Sequence, residues 1–237
     1  MSIFWRLVLA HLLSDFLFHF NFIYHLKNTK VFAGYFVHGI VFFLTAIICC
    51  NNFLNIPWIQ FGSLSLNGMQ SIFILAVLHA LLDKINPSET RAFNGYNFFL
   101  FLLWQAIEIM LLFIVAPLVS VRGESFIVGD KFIFILIGVL VSTYFFMVLI
   151  YLFKRDFCQS TYPIFDERFV STLYRLALYL LFLIPSFWGY ALGLLWIFLG
   201  AVLKKPFVID TCPYRLYGGT VITIIFTLIM RFFIYHL

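Results

Sequence analysis

The stretch Leu7 to Lys27, LVLAHLLSDFLFHFNFIYHLK, is apolar enough to enter a bilayer, yet it carries His11, Asp15 and His19 at steps of four. Each such step turns an α-helix by about 40°, so the three side chains lie on a stripe about 80° wide. Ionisable groups in hydrocarbon cost several kcal/mol each unless they face a partner or a water-filled cavity. The stripe must therefore face the interior of a protein, and the rest of the chain has to supply that interior.

It does so with more apolar residues. The 237-residue chain is 64% hydrophobic and 11% charged, with a mean hydropathy of +1.05. Soluble domains carry roughly 25% charged residues, so composition predicts an all-α polytopic membrane protein. The net charge of +5 reads as basic loop ends rather than a nucleic-acid surface, because no soluble basic stretch exceeds a few residues. His11, Asp15 and His19 also interrupt the first apolar run, which argues for a retained spanning helix rather than a signal peptide. Cys49, Cys50, Cys158 and Cys212 show no Cys-x-x-Cys spacing and read as small buried thiols.

Runs of spanning length fall at about 3–24, 31–50, 69–86, 96–119, 130–153, 169–184, 187–203 and 218–236. The sixth and seventh meet at Pro185 and Ser186, where two spans and a single re-entrant unit both fit. Odd-numbered connections, with Arg175 at the near end of helix six, collect eleven of the fifteen Lys and Arg residues; Arg6, Arg122, Lys131 and Arg231 fall on the other side. Positive charge marks the cytoplasmic side, so both termini are expected outside the cytoplasm. The expected organisation is a four-helix bundle over about 1–120, followed by four supporting or partner-binding helices over about 121–237. The two halves show no internal sequence repeat.

The first half holds the polar residues. Helix two offers His38 between Gly34 and Gly39, whose missing side chains permit close helix approach. Helix three ends with His79 and Asp83 one turn apart, and helix four carries Gln105 and Glu108. At 1.5 Å per residue these groups share one slab near the cytoplasmic ends of the helices, with Glu108 and His11 deeper and Asp83 at the boundary. Imidazole and carboxylate donors on facing helices suit Zn, Mn, Fe or Co. The candidate ligands are His11, Asp15, His38, His79 and Asp83, with Glu108 or His19 as general base. The competing account is a hydrogen-bonded network in which His and Asp satisfy one another. Lys27, Lys84 and Arg91 could hold an anionic lipid or phosphate head group. Trp58, Trp104, Trp188 and Trp196 read as packing or interfacial anchors.

The run His11-Leu-Leu-Ser-Asp15-Phe16, with Tyr24, Lys27, His38, His79, Asp83-Lys84 and Gln105, resembles the bacterial membrane-protein family known as domain of unknown function 3307. The resemblance covers roughly residues 5–115 and implies a shared polar site and a bacterial inner-membrane setting, but no activity. A weaker likeness continues at Val170 to Arg175, Ala201 to Lys204 and Tyr214 to Gly218. Against the family pattern, His19 stands where a Gln is usual, and Trp104 and Glu108 stand where helix four has Asp and His.

Three function classes remain open on these residues. One is a metal-dependent membrane hydrolase or other lipid-acting enzyme. Another is a proton-coupled permease using the same groups as a relay. The third is a noncatalytic membrane component that binds a partner subunit.

Overall fold

A computed structural model describes residues 2–18, 23, 25–27, 31–86, 98–117, 129–158, 165–203 and 214–236. The chain forms two compact units, residues 1–133 and 134–237.

In the first unit α1 (Ser2–Leu12) runs directly into one turn of π-helix, Leu13–Leu17, closed by Phe18 N–H donating to Leu13 O at 2.8 Å. α2 (Val31–Cys50), α3 (Gly68–Ile85) and α4 (Phe98–Val115) follow. α1 packs on α2 and α4, and α3 packs on the same two helices, so the four close into a ring. The sequence dictates which faces turn inward. On α2, Phe32, Phe36, Ile40, Leu44 and Ile48 recur every four residues and are exposed, as a lipid-facing stripe requires. Tyr35, His38, Phe42 and Ala46 line the opposite face and are buried. On α3 the buried face is Ile72, Leu75, Ala76, His79 and Asp83.

α2 and α3 come closest at Gly39. A Cβ there would lie 3.0 Å from Ala80 Cβ and 3.2 Å from Ala76 O. Gly39→Leu should therefore wedge the helices apart beside His38, at a cost of about 1–3 kcal/mol. A lower thermal midpoint in detergent would register it, and an unchanged midpoint would mean that this contact does not hold the pair together.

The connection from α2 to α3 is more structured than the sequence reading anticipated. After a 3₁₀ turn, Asn51–Phe53, it forms a hairpin of β1 (Pro57–Phe61) and β2 (Leu64–Asn67). Phe61 pairs with Leu64 around a two-residue loop in which Gly62 has φ +59°, the left-handed region that such turns need. The register shifts between Pro57 and Ile59, so Trp58 is the extra residue of a bulge. The bulge turns its indole inward, where Nε1 donates to Phe53 O at 2.9 Å. Trp58 is thus a packed residue of the hairpin. Asn67 and Gln70 then cap α3 reciprocally, side chain to backbone N–H in both directions.

Helix α5 (Asp130–Leu140) leads into a second π turn, Val141–Phe145, and then α6 (Phe146–Cys158). α7 (Phe165–Leu183), α8 (Phe187–Leu203) and α9 (Tyr214–His236) complete the second unit. α7 and α8 are separate helices joined at Ile184–Ser186. They form a hairpin in which Phe182 meets Tyr190 near the turn, while Tyr174 stacks on Trp196 further from it. Trp196 Nε1 also donates to Tyr174 O at 3.2 Å. Each unit therefore carries a five-residue π turn that continues an eleven-residue α-helix, α5 beginning four residues before the second unit does. In each, a buried serine closes on the carbonyl three residues back: Ser14 on His11 O, Ser142 on Val139 O.

The π turn of the second unit explains a residue that the sequence reading placed at a helix end. Arg175 lies in the middle of α7 and is buried. Its guanidinium donates to Ser142 O at 3.0 Å and Thr143 O at 3.3 Å, and to Ser171 Oγ at 2.8 Å. Carbonyls in a π turn are offset from the regular ladder, and a buried guanidinium needs such acceptors.

The protein is an all-α membrane protein, with one small hairpin among the described residues. Among the described residues five helices are long and apolar enough to cross a bilayer: 32–53, 68–85, 98–115, 130–157 and 218–235. The expected count of eight is not reached on that criterion. α8 is apolar over Phe187–Val202 but shorter, α7 carries Asp166, Glu167, Arg168 and Arg175, and α1 is described only to Phe18.

Candidate metal centre

The ring of α1 to α4 brings its ionisable side chains to one point. His11 and Asp15 come from α1 and its π turn, His38 from α2, His79 and Asp83 from α3, and Glu108 from α4. His11, His38, His79, Asp83 and Glu108 are buried, and the Asp15 side chain is 14% exposed.

His38 Nε2 is the hub. It lies 3.2 Å from Asp15 Oδ1, 3.2 Å from Asp83 Oδ2 and 3.2 Å from His79 Nε2. His79 Nε2 is in turn 3.4 Å from Asp15 Oδ1. A ring nitrogen carries either one hydrogen or one lone pair and can satisfy a single partner. Three partners at one distance leave two contacts without a proton. Ligands 2.0–2.1 Å from a tetrahedral metal are about 3.3–3.4 Å from each other. The triangle of His38 Nε2, His79 Nε2 and Asp15 Oδ1 has edges of 3.2, 3.4 and 3.2 Å, so these donors fit an ion held between them.

A second line joins Asp15 to Glu108. His11 Nδ1 is 3.6 Å from Asp15 Oδ2, and His11 Nε2 is 3.4 Å from Glu108 Oε2. Neither ring nitrogen of His11 makes a hydrogen bond, although both are fully enclosed. His79 spans the same pair, with Nδ1 3.9 Å from Glu108 Oε1. Gln105 Nε2 donates to Glu108 Oε2 at 3.1 Å and fixes that carboxylate. Two groups could hold a metal ion: His38, His79 and Asp83, and His11, Asp15 and His79.

Charge favours a cation as well. Three carboxylates, Asp15, Asp83 and Glu108, stand against one ammonium, Lys27, whose Nζ is 3.1 Å from Asp83 Oδ2. With neutral imidazoles the cluster carries two negative charges, which a divalent ion would cancel; isolated buried charge is otherwise costly.

Of the remaining sequence candidates, Lys84 is exposed with its ammonium 5.6 Å from the Phe32 ring centre. His19 and Arg91 lie outside the described residues. Several supporting residues went unnoticed in the sequence. Ser14, fully buried, has Oγ 3.0 Å from Asp15 Oδ1. The Phe42 ring lies 4.8 Å from His79, and Lys27 Nζ is 5.2 Å from the Tyr35 ring centre. Spacing gave a clue to two of them: Tyr35 and Phe42 are a turn either side of His38, on its inward face.

Ring and cluster define a polytopic α-helical membrane protein built around a buried imidazole–carboxylate centre. The chain belongs to the family described as Protein of unknown function (DUF3307), whose profile matches residues 3–132, more than half of its length. That match spans every member of the cluster. No curated protein and no solved structure matches the chain.

Proposed function

We propose that the protein is a metal-dependent hydrolase of the bacterial inner membrane, with eight spans and both termini outside the cytoplasm, acting on a lipid-type substrate near the cytoplasmic face. The observation that carries this reading is the threefold convergence on His38 Nε2. His38, His79, Asp15 and Asp83 are the ligands, and Zn, Mn or Fe fits the N₂O₂ donor set with a further coordination position left for water. A bound divalent ion would supply an activated water. Glu108, placed by Gln105 and adjacent to His11, would serve as general base, holding the proton that a water gives up as its oxygen adds to an ester carbonyl. The ester C–O bond breaks, the proton passes to the departing alkoxide, and acid and alcohol leave. Lys84, exposed at the end of α3 beside Phe32, is the described residue placed to meet an anionic head group, since Lys27 donates to Asp83.

The test is elemental analysis of detergent-purified protein beside its Asp15→Ala/His79→Ala variant, followed by a screen of lipid esters. About one metal per chain, lost from a still-folded double variant, supports the reading. No metal after reconstitution with Zn, Mn and Fe sinks it.

A second reading has its own observation. Lys27, Asp83, His38, Asp15, His11 and Glu108 form a row of alternating groups with successive distances of 3.1, 3.2, 3.2, 3.6 and 3.4 Å. Such a row suits a proton-coupled permease. It predicts pH-dependent flux in liposomes that needs no metal and disappears in Asp15→Asn.

A further inference from the structure

Lys27 is buried four residues before α2 begins, an unusual place for an ammonium beside a lipid-facing helix. Three features hold it there. Its Nζ donates to Asp83 Oδ2 at 3.1 Å, the same oxygen that lies 3.2 Å from His38 Nε2. Its ammonium faces the Tyr35 ring at 5.2 Å. The backbone of Leu26 and Lys27 lies directly on Gly34, where any Cβ would run into it. An ammonium on one lone pair of Asp83 Oδ2 leaves that oxygen a second lone pair for a metal. It also fixes the formal charge of the cluster at two negative units rather than three.

We infer that Lys27 is a specificity-determining residue of this centre: its ammonium, held on Asp83, sets the charge that makes the site take a divalent rather than a trivalent cation. The inference rests on the metal-centre reading above. A permanent positive charge in a low-dielectric interior raises the cost of each added positive charge on a neighbouring ion. Iron reports this directly, because Fe²⁺ and Fe³⁺ occupy the same donors and differ by one charge. Gln at position 27 removes the charge and keeps a hydrogen-bond donor, whereas Arg keeps both.

The experiment loads wild type, Lys27→Gln, Lys27→Arg and Gly34→Ala with iron in detergent and measures the Fe³⁺/Fe²⁺ midpoint potential of each. In Lys27→Gln the preference for Fe³⁺ over Fe²⁺ should rise at least tenfold, a fall of about 59 mV for one electron. Lys27→Arg should stay with the wild type. Gly34→Ala, which keeps every charge but displaces the Lys27 backbone, should fall in the same direction. Equal potentials in wild type and Lys27→Gln overturn the inference while leaving the metal centre standing. If Lys27→Gln does not fold, Gly34→Ala decides by the same criterion. Failure of both to fold overturns it too, since Lys27 would then be a structural tie. A wild type that takes up neither zinc nor iron refutes the metal centre itself, and this inference with it.

Discussion

Replacing His38 by alanine is expected to reduce the zinc retained by the purified protein from about one atom per chain to under a tenth of that, because the ion then keeps a single imidazole among its protein donors. The magnitude follows from position. His38 Nε2 touches two carboxylates and the second imidazole at once, each at 3.2 Å, so its loss removes the atom on which the other donors converge. His11→Ala is the informative control. His11 stands between Asp15 Oδ2 and Glu108 Oε2, at 3.6 and 3.4 Å, outside the triangle around His38. Zinc in His11→Ala should stay near the wild-type level. Matched elemental analysis of the two variants, with thermal midpoints to show that both are folded, checks the pair of expectations. Equal loss in both would make the ligand set larger than the one assigned here. Equal retention would reduce the cluster to packing.

Glu108→Gln is expected to leave the metal in place and to lower hydrolysis of whichever lipid ester the wild type cleaves by about 100- to 10,000-fold, the usual contribution of a positioned general base. Glutamine matches glutamate in shape and can keep a contact with Gln105, which lies 3.1 Å from Glu108 Oε2, but it cannot accept a proton. Glu108 is buried ten residues into α4. In an all-packing account, exchanging it for a neutral amide would stabilise the fold, since the cost of burying a charge disappears. Unchanged turnover with a higher thermal midpoint would therefore support packing over chemistry. Lost turnover with zinc retained would support the base.

The membrane class, the helical fold and the members of the cluster were legible in the sequence for one physical reason. Hydrocarbon penalises every ionisable group, so His11, Asp15, His38, His79, Asp83 and Glu108 stand out against an apolar background without any knowledge of the fold. What escaped the sequence depended on contacts it does not spell out. The bond from Lys27 to Asp83 spans 56 positions and depends on a backbone resting on Gly34. Trp58 read as either a packing or an interfacial anchor, because nothing local announces the bulge that turns it inward and makes it a packing residue. Arg175 looked like a helix end because its acceptors belong to Ser142 and Thr143, over thirty positions away. Of the eight expected spans, five stand out by length and apolarity among the described residues. Length and apolarity identify α2, α3 and α4 cleanly, but the charges at the start of α7 and the brevity of α8 blur the second unit.

The turn at Leu13–Leu17 holds one residue more than a regular helix would use. A reading frame that lost a single codon there would still encode an uninterrupted, insertable span, since neither length nor oiliness would suffer. Yet a residue lost between His11 and Asp15 would close the widened turn into a regular one and move Asp15 from the fourth to the third position after His11, shifting the carboxylate that lies beside His11 and His38. Heredity can therefore tinker with the greasy exterior of this helix at little risk, whereas its residue count up to Asp15 is as tightly bound as any side chain. Among relatives, one-residue gaps at this turn should mark lineages that kept the scaffold and abandoned the chemistry.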